Sequence, residues 1–184
     1  MELINKNPKI IMLAGKARSG KDTTAAFIKE YGLQNNLKVI NLQFSFYIKY
    51  YAKLISSWDG SEETKPRTLL QQLGTDIIRD KIDNYYFIKR IVDDIKVLNY
   101  FADIITISDT RLPEELDTIT NTYPNVYKIN IERPDFNNNL NSKEVLHRTE
   151  TSLDNYTNYN YIIDNDGTLE DLQNKINNIL KEIV

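Results

Sequence analysis

The sequence predicts an α/β fold in which a doubly wound parallel sheet is flanked by helices. Five short apolar runs, rich in β-branched residues, alternate with longer segments of helical period. The runs are almost continuously apolar, as strands buried on both faces of a parallel sheet should be. Since 184 residues suffice for one substantial core and no linker or repeat divides the chain, we expect a single domain over residues 1–184.

Each run is a predicted strand, and the segments between them are predicted helices. The first helix is expected over residues 21–31, with Gly32 as its C-terminal stop. The last helix follows Thr168, a predicted N-cap, and places its aliphatic side chains on one stripe. The strands are KIIMLAG (9–15), KVINLQF (38–44), DIITISD (103–109), NVYKINI (125–131) and YNYIIDN (159–165).

The composition argues against several classes of protein. The formal charge is −3 and no lysine- or arginine-rich block is present, so we expect no nucleic-acid partner. The chain has no cysteine, which excludes disulfides and thiolate metal sites. Neither a signal peptide nor a membrane-spanning apolar stretch is found, so we expect a cytoplasmic protein with no membrane partner. A homodimer is compatible with the twelve tyrosines, but the sequence does not fix the oligomeric state.

A glycine-rich loop lies between the first predicted strand and the first predicted helix. Residues 15–21, GKARSGK, fit the spacing GxxxxGK in the strand–loop–helix context that this motif requires. Glycines let successive backbone N–H groups point at an anion, and the helix N-terminus adds its positive dipole end. Lys21 can then reach the β- and γ-phosphates of a nucleotide. The predicted nucleotide-binding residues are Gly15, Ala17, Arg18, Ser19, Gly20, Lys21, Asp22, Thr23 and Thr24.

The residue after the loop lysine is unusual. Many nucleotide triphosphatases have a Mg²⁺-binding hydroxyl there, whereas this chain has Asp22, with Thr23 and Thr24 behind it. The order resembles the GKxT form of nucleoside monophosphate kinases, in which the threonine contacts a nucleotide phosphate. Asp22 has two interpretations: it holds metal-bound water, or it stabilises the N-terminus of its own helix.

A second polar group follows the third predicted strand. Asp109 stands at the carboxyl end of that strand, where a carboxylate can orient Mg²⁺ through its waters. Arg111 follows and can grip an acceptor phosphate in bidentate fashion. The alternatives are that Asp109 caps the next helix and that Arg111 forms a surface ion pair with Glu114 or Glu115.

Five motifs in order resemble the deoxynucleoside monophosphate kinases of bacteriophages and their bacterial relatives. The resemblance implies a P-loop kinase fold with a five-stranded parallel sheet, an acceptor-binding insertion at about 45–102 and a lid at about 133–158. It also implies Mg²⁺-dependent transfer of the ATP γ-phosphate to a (deoxy)nucleoside monophosphate. The motifs are GKARSGKDTTA (15–25), QQLGTDIIRD (71–80), ISDTRLPEE (107–115), HRTETSLDNY (147–156) and YIIDNDGTLEDL (161–172).

The resemblance also implies roles for individual residues. Lys21 and Thr23 serve the ATP phosphates, Asp109 the metal and Arg111 the acceptor phosphate, while Arg148 closes over the transferring group. The alternative for Thr75 and Asp76 is that they cap a helix within a broken helical segment. The alternative for Arg67 is a solvent-exposed surface cation. Arg133 is a second candidate for closing over the phosphoryl group, and His147 is a predicted hinge residue. The implied acceptor contacts are Lys49, Arg67, Gln72, Thr75, Asp76, Arg79 and Arg111.

Other functions stay open at this point. Dephospho-coenzyme A kinases share the loop and a similar last helix, and animal-type phosphomevalonate kinases have a similar loop. A nucleotide-binding regulator without transferase activity is the alternative from another class. The base and sugar of the acceptor are not determined, because the chain departs from the family pattern at 44–54.

Overall fold

The computed structural model describes residues 3–134 and 148–184. Its centre is a five-stranded sheet in the order β2-β3-β1-β4-β5, with every described pairing parallel. The predicted parallel α/β sheet is therefore confirmed. The strands are β1 (Lys9–Ala14), β2 (Val39–Leu42), β3 (Ile104–Thr110), β4 (Val126–Glu132) and β5 (Tyr161–Asp164).

Helices cover both faces of the sheet. The segment Gln72–Ile82 continues α3 as a π-helix. The helix is therefore continuous through residues 75 and 76, where a broken helix was one of the alternatives. The helices are α1 (Lys21–Gln34), α2 (Ser45–Ile55), α3 (Arg67–Gln71), α4 (Tyr86–Leu98), α5 (Pro113–Thr122), α6 (Arg148–Thr151) and α7 (Leu169–Ile183).

The core forms two layers because side chains alternate along each strand. On β1, Ile10 and Met12 pack with α4 and α5 on one face. Ile11 and Leu13 pack with α1 and α7 on the other. All four side chains are buried, as the apolar run of the sequence predicts for a central parallel strand.

The two ends predicted for α1 and α7 have different outcomes. Thr168 caps α7 as predicted: its hydroxyl accepts a hydrogen bond from Asp171 N, and the Asp171 carboxylate accepts one from Thr168 N at 2.8 Å. The predicted stop at Gly32 is wrong, because α1 runs on to Gln34. Gly32 serves a close approach instead: a Cβ there would lie 2.2 Å from a methyl carbon of Val39.

Within the described parts of the chain, none of the helices combines the length and the apolar character that crossing a membrane would require.

Candidate active site

A cavity of about 550 Å³ opens beside the phosphate loop, at the carboxyl ends of β1, β2 and β3. This is the edge at which open α/β sheets bind ligands. Eleven of the residues predicted from the sequence line the cavity: Arg18, Gly20, Lys21, Asp22, Thr23, Lys49, Thr75, Arg79, Asp109, Arg111 and Arg133.

The phosphate loop depends on its glycines. Gly15 has φ 133° and Gly20 has φ 114°, a left-handed region that L side chains rarely adopt. A Cβ on Gly15 would also lie 2.3 Å from the Ile131 carbonyl oxygen of β4. Arg18 takes φ 60° without this freedom. The curled backbone lets the loop approach the sheet edge closely, as an anion-binding nest requires.

Lys21 lies under this loop with its ammonium buried. Its Nζ donates hydrogen bonds to Gly15 O at 2.8 Å and to Lys16 O at 2.6 Å. The pKa of Lys21 is lowered to about 8: burial is the largest cause, the nearby Arg111 cation acts in the same direction, and the carboxylates of Glu150, Asp22 and Asp109 oppose the shift. The loop therefore holds an ammonium group whose protonation depends on the charged groups around it.

The three residues after Lys21 have separate environments. Thr23 lines the cavity, as the GKxT interpretation expects. Thr24 is fully buried and is not among the lining residues, so the structure does not support its predicted nucleotide contact. Asp22 is exposed at the cavity, and Gln43 Nε2 donates to its Oδ1 at 3.5 Å.

Asp109 joins the end of β3 to the start of α2. Its two carboxylate oxygens accept hydrogen bonds from Phe44 N at 2.8 Å and Ser45 N at 2.9 Å. The capping alternative named the helix that follows Asp109, but the helix whose N-terminus it stabilises is α2, which precedes it in the chain. Asp109 also lines the cavity, so the same carboxylate both stabilises the start of α2 and lies at the candidate site.

Arg111 faces α6 rather than the neighbouring acids. Its guanidinium pairs with Glu150 and donates to Thr149 O at 3.4 Å. The alternative of a side-chain ion pair with Glu114 or Glu115 is wrong for this structure. Glu115 does accept a hydrogen bond from the backbone N of Arg111, at 2.8 Å.

Glu115 is a buried partner of the π-helix. Its carboxylate pairs with Arg79 at 3.1 Å and accepts a hydrogen bond from Leu112 N. Burial raises the pKa of Glu115 to about 7, and the Arg79 cation opposes that rise. Arg79 also donates to Gly74 O and stacks 4.8 Å from the Phe87 ring centre. This ion pair fixes the π-helix against the end of β3.

Several predicted residues do not line the cavity. Arg67 is exposed and pairs with Glu62 at 3.4 Å, which matches its solvent-exposed alternative. Gln72 and Asp76 are also exposed and lie outside the lining. Arg148 pairs with Glu114. His147 lies outside the described residues.

The loop residues Gly15, Ala17 and Ser19 line a second cavity, on the other side of the loop.

Sequence reasoning did not single out several side chains around the phosphate loop and the cavity, among them Gln43, Lys65, Glu150 and Asn165. Gln43 lies at the carboxyl end of β2, accepts from Lys49 Nζ at 3.4 Å and donates to Ser108. Its place near the carboxyl end of the predicted strand 38–44 was a usable signal. Asn165, directly after β5, donates to Ser19 O at 2.8 Å. Lys65 carried no comparable local signal, whereas Glu150 lies within the motif at 147–156.

The donor set fits a Mg²⁺ ion held mainly through water. Asp22, Thr23 and Asp109 supply oxygen atoms around one cavity. Within residues 3–134 and 148–184, no group of three or more acidic or histidine side chains could enclose an ion. Mg²⁺ commonly keeps several waters and takes one or two carboxylates together with substrate phosphates, so this sparse set is sufficient.

Solved structures of other proteins share the fold. The APS kinase of Mycobacterium tuberculosis, in complex with AMPPNP and APS, superposes with a TM-score of 0.61 at 12% identity, over 95% of this chain and 98% of that one. Shikimate kinase from Aquifex aeolicus gives a TM-score of 0.51 at 13% identity, over 94% and 96%. At such low identities these similarities show the fold alone.

Sequence relatives give a narrower result. The deoxynucleotide monophosphate kinase of Enterobacteria phage T4 is 34% identical over 116 residues, which cover 62% of this chain and 45% of the phage enzyme. The chain thus aligns with less than half of that relative's length. A protein of Acanthamoeba polyphaga mimivirus, to which the same activity is ascribed, is 28% identical over 91% of this chain and 93% of its own length. The family model described as deoxynucleotide monophosphate kinase matches residues 43–176, most of the sequence. The chain therefore belongs to the deoxynucleotide monophosphate kinase family.

Proposed function

We propose that this protein transfers the γ-phosphate of ATP to the phosphate of a deoxynucleoside monophosphate, giving the diphosphate. The observation that carries the proposal is the single cavity into which the phosphate loop, Asp109 and Arg111 all open. The family assignment favours this reaction over the coenzyme A and phosphomevalonate alternatives. ATP and a nucleotide acceptor would be the substrates, and the cytoplasm is the expected compartment.

The reaction needs positioning and charge stabilisation more than covalent chemistry. The loop N–H groups, Lys21 and Thr23 would hold the ATP phosphates. Arg111 would hold the acceptor phosphate in line with the γ-phosphate. A bound Mg²⁺, with its waters oriented by Asp22 and Asp109, would neutralise charge on the phosphates.

The wall of the cavity opposite the phosphate loop would receive the acceptor nucleoside. It is formed by α2 and the π-helix, which contribute Lys49, Thr75 and Arg79. Because Arg79 is already paired with Glu115, we assign it to holding this wall in place. Arg67, Gln72 and Asp76 are left out of the proposed acceptor contacts, since they do not line the cavity.

The test is ADP release from Mg-ATP against a panel of deoxynucleoside and ribonucleoside monophosphates and dephospho-coenzyme A. We expect stimulation by one or more deoxynucleotides. Lys21→Ala and Arg111→Ala should each lower kcat/KM by about 10²–10³-fold, because each removes a charge that stabilises the moving phosphoryl group.

Exposed Arg67→Ala serves as the matched control and should retain wild-type turnover. Stimulation by dephospho-coenzyme A alone would contradict the proposal. Bound ATP with no stimulation by any acceptor would favour a nucleotide-binding regulator.

A further inference from the structure

The carboxylate of Glu150 lies between two groups to which we assign phosphate binding. Its Oε2 accepts a hydrogen bond from the backbone N of Ala17 in the phosphate loop, at 2.9 Å. Its Oε1 pairs with the guanidinium of Arg111. The Glu150 side chain is only 11% exposed, so solvent screens these contacts weakly.

These are the contacts that an oxygen of a phosphate group would make. Loop N–H groups and arginine both bind phosphate and carboxylate oxygens through charge-assisted hydrogen bonds. Glu150 also acts on Lys21: burial lowers the pKa of that lysine, and Glu150 is the first of the carboxylates that oppose the shift. The protein thus places a carboxylate of its own against both the phosphate loop and Arg111.

A neighbouring ion pair of α6 provides a comparison for Glu150. Arg148 pairs with Glu114 of α5, and its side chain is 43% exposed. Neither partner of that pair lines the main cavity. Glu150 differs because it links the two cavities: it lines the second cavity with Ala17 of the phosphate loop, and its other partner, Arg111, lines the main one.

We propose that Glu150 is a positioning residue that holds Arg111 beside the phosphate loop and is exchanged for the acceptor phosphate when substrate binds. The inference rests on the proposed function, because it takes Arg111 as the acceptor-phosphate contact. A phosphate must displace the carboxylate to reach Arg111. Its apparent affinity is therefore reduced by the fraction of molecules in which Glu150 occupies the position.

Glu150→Gln tests the exchange, because it removes the charge and keeps the shape. We expect KM for the deoxynucleoside monophosphate to fall about tenfold while kcat changes less than about threefold. Inorganic phosphate, titrated calorimetrically into the full chain, should bind about tenfold more tightly to the variant. An ion pair remote from the phosphate site would not improve binding of an anion when broken.

Asp93→Asn is the matched control, since it removes one carboxylate from an exposed pair with Lys96 on α4. It should leave KM and phosphate affinity unchanged. Thermal unfolding checks that each variant is folded, and Glu150→Ala should repeat the tighter phosphate binding. Unchanged or weaker phosphate binding in both Glu150 variants would overturn the inference. Absence of turnover with every nucleotide in the wild type would instead contradict the proposed function, since the phosphate titration requires no turnover.

Discussion

Lys21 shows how the loop sequence sets the chemistry of one atom. The glycines place the backbone carbonyls of residues 15 and 16 around its ammonium, and burial lowers its pKa to about 8. The motif predicted the position of this lysine in the loop, and its role at the nucleotide phosphates stays a prediction. It could not predict the pKa, because Glu150 and Arg111 reach the loop from distant parts of the chain.

The lowered pKa of Lys21 predicts that nucleotide binding is coupled to proton uptake. Triphosphate anions favour the ammonium, so the pKa in the complex exceeds the value of about 8 in the free protein. Above pH 8 the free protein has lost much of this proton, and binding must restore it. We therefore expect affinity for metal-free ATP to fall as the pH rises from 8 to 9.

Calorimetry at pH 9, in two buffers of different ionisation enthalpy, measures this uptake directly. Lys21→Met should abolish the uptake, because no titrating group remains at that position. Proton release on binding by the wild type, or equal uptake by the variant, would contradict the assignment.

The segment from Asp109 to Glu115 links three elements around the site. Asp109 stabilises the start of α2, Arg111 pairs with α6, and Glu115 pairs with Arg79 of the π-helix. A short motif after β3 thus fixes both the proposed acceptor wall and the helix that reaches the phosphate loop. The sequence predicted that Asp109 and Arg111 belong to a site, but not which elements they hold.

Replacing Asp109 should therefore lower stability as well as activity. In Asp109→Asn one side-chain oxygen becomes an amide donor that faces a backbone N–H of α2. We expect the free energy of unfolding to fall by about 1–2 kcal/mol, the usual cost of losing such a cap. Urea unfolding followed by circular dichroism measures it, with Asp93→Asn as the exposed control. If activity is lost while stability stays at the wild-type value, Asp109 acts in the chemistry alone.

At the scale of the whole molecule, the local sequence pattern predicted the sheet, whereas the arrangement of the site depends on contacts between residues far apart in the chain. The apolar runs indicate strands that are buried on both faces of the sheet. The ends of all five strands were therefore predicted to within a few residues. The order β2-β3-β1-β4-β5 then brings the loop after β1 beside the segment after β3. The Ala17–Glu150 bond joins residues 133 positions apart, and the Asp109–Phe44 bond joins residues 65 apart. No periodicity in the sequence reports pairs at such separations.

The π-helix was missed for a related reason. Its residues carry the apolar spacing of an ordinary helix, and nothing in that spacing distinguishes i→i+5 from i→i+4 hydrogen bonds. The buried Arg79–Glu115 pair is a tertiary contact of this segment that the spacing does not report either.

In the proposed function, one cleft transfers a phosphoryl group from ATP to a deoxynucleoside monophosphate. The most direct measurement follows the label from [γ-³²P]ATP in the presence of Mg²⁺ and each deoxynucleoside monophosphate in turn. We predict labelled deoxynucleoside diphosphate, with the label on its terminal phosphate, and formation about 10²–10³-fold less efficient in Arg111→Ala. Label recovered only as inorganic phosphate, or on an acceptor that is not a nucleoside monophosphate, would contradict the account.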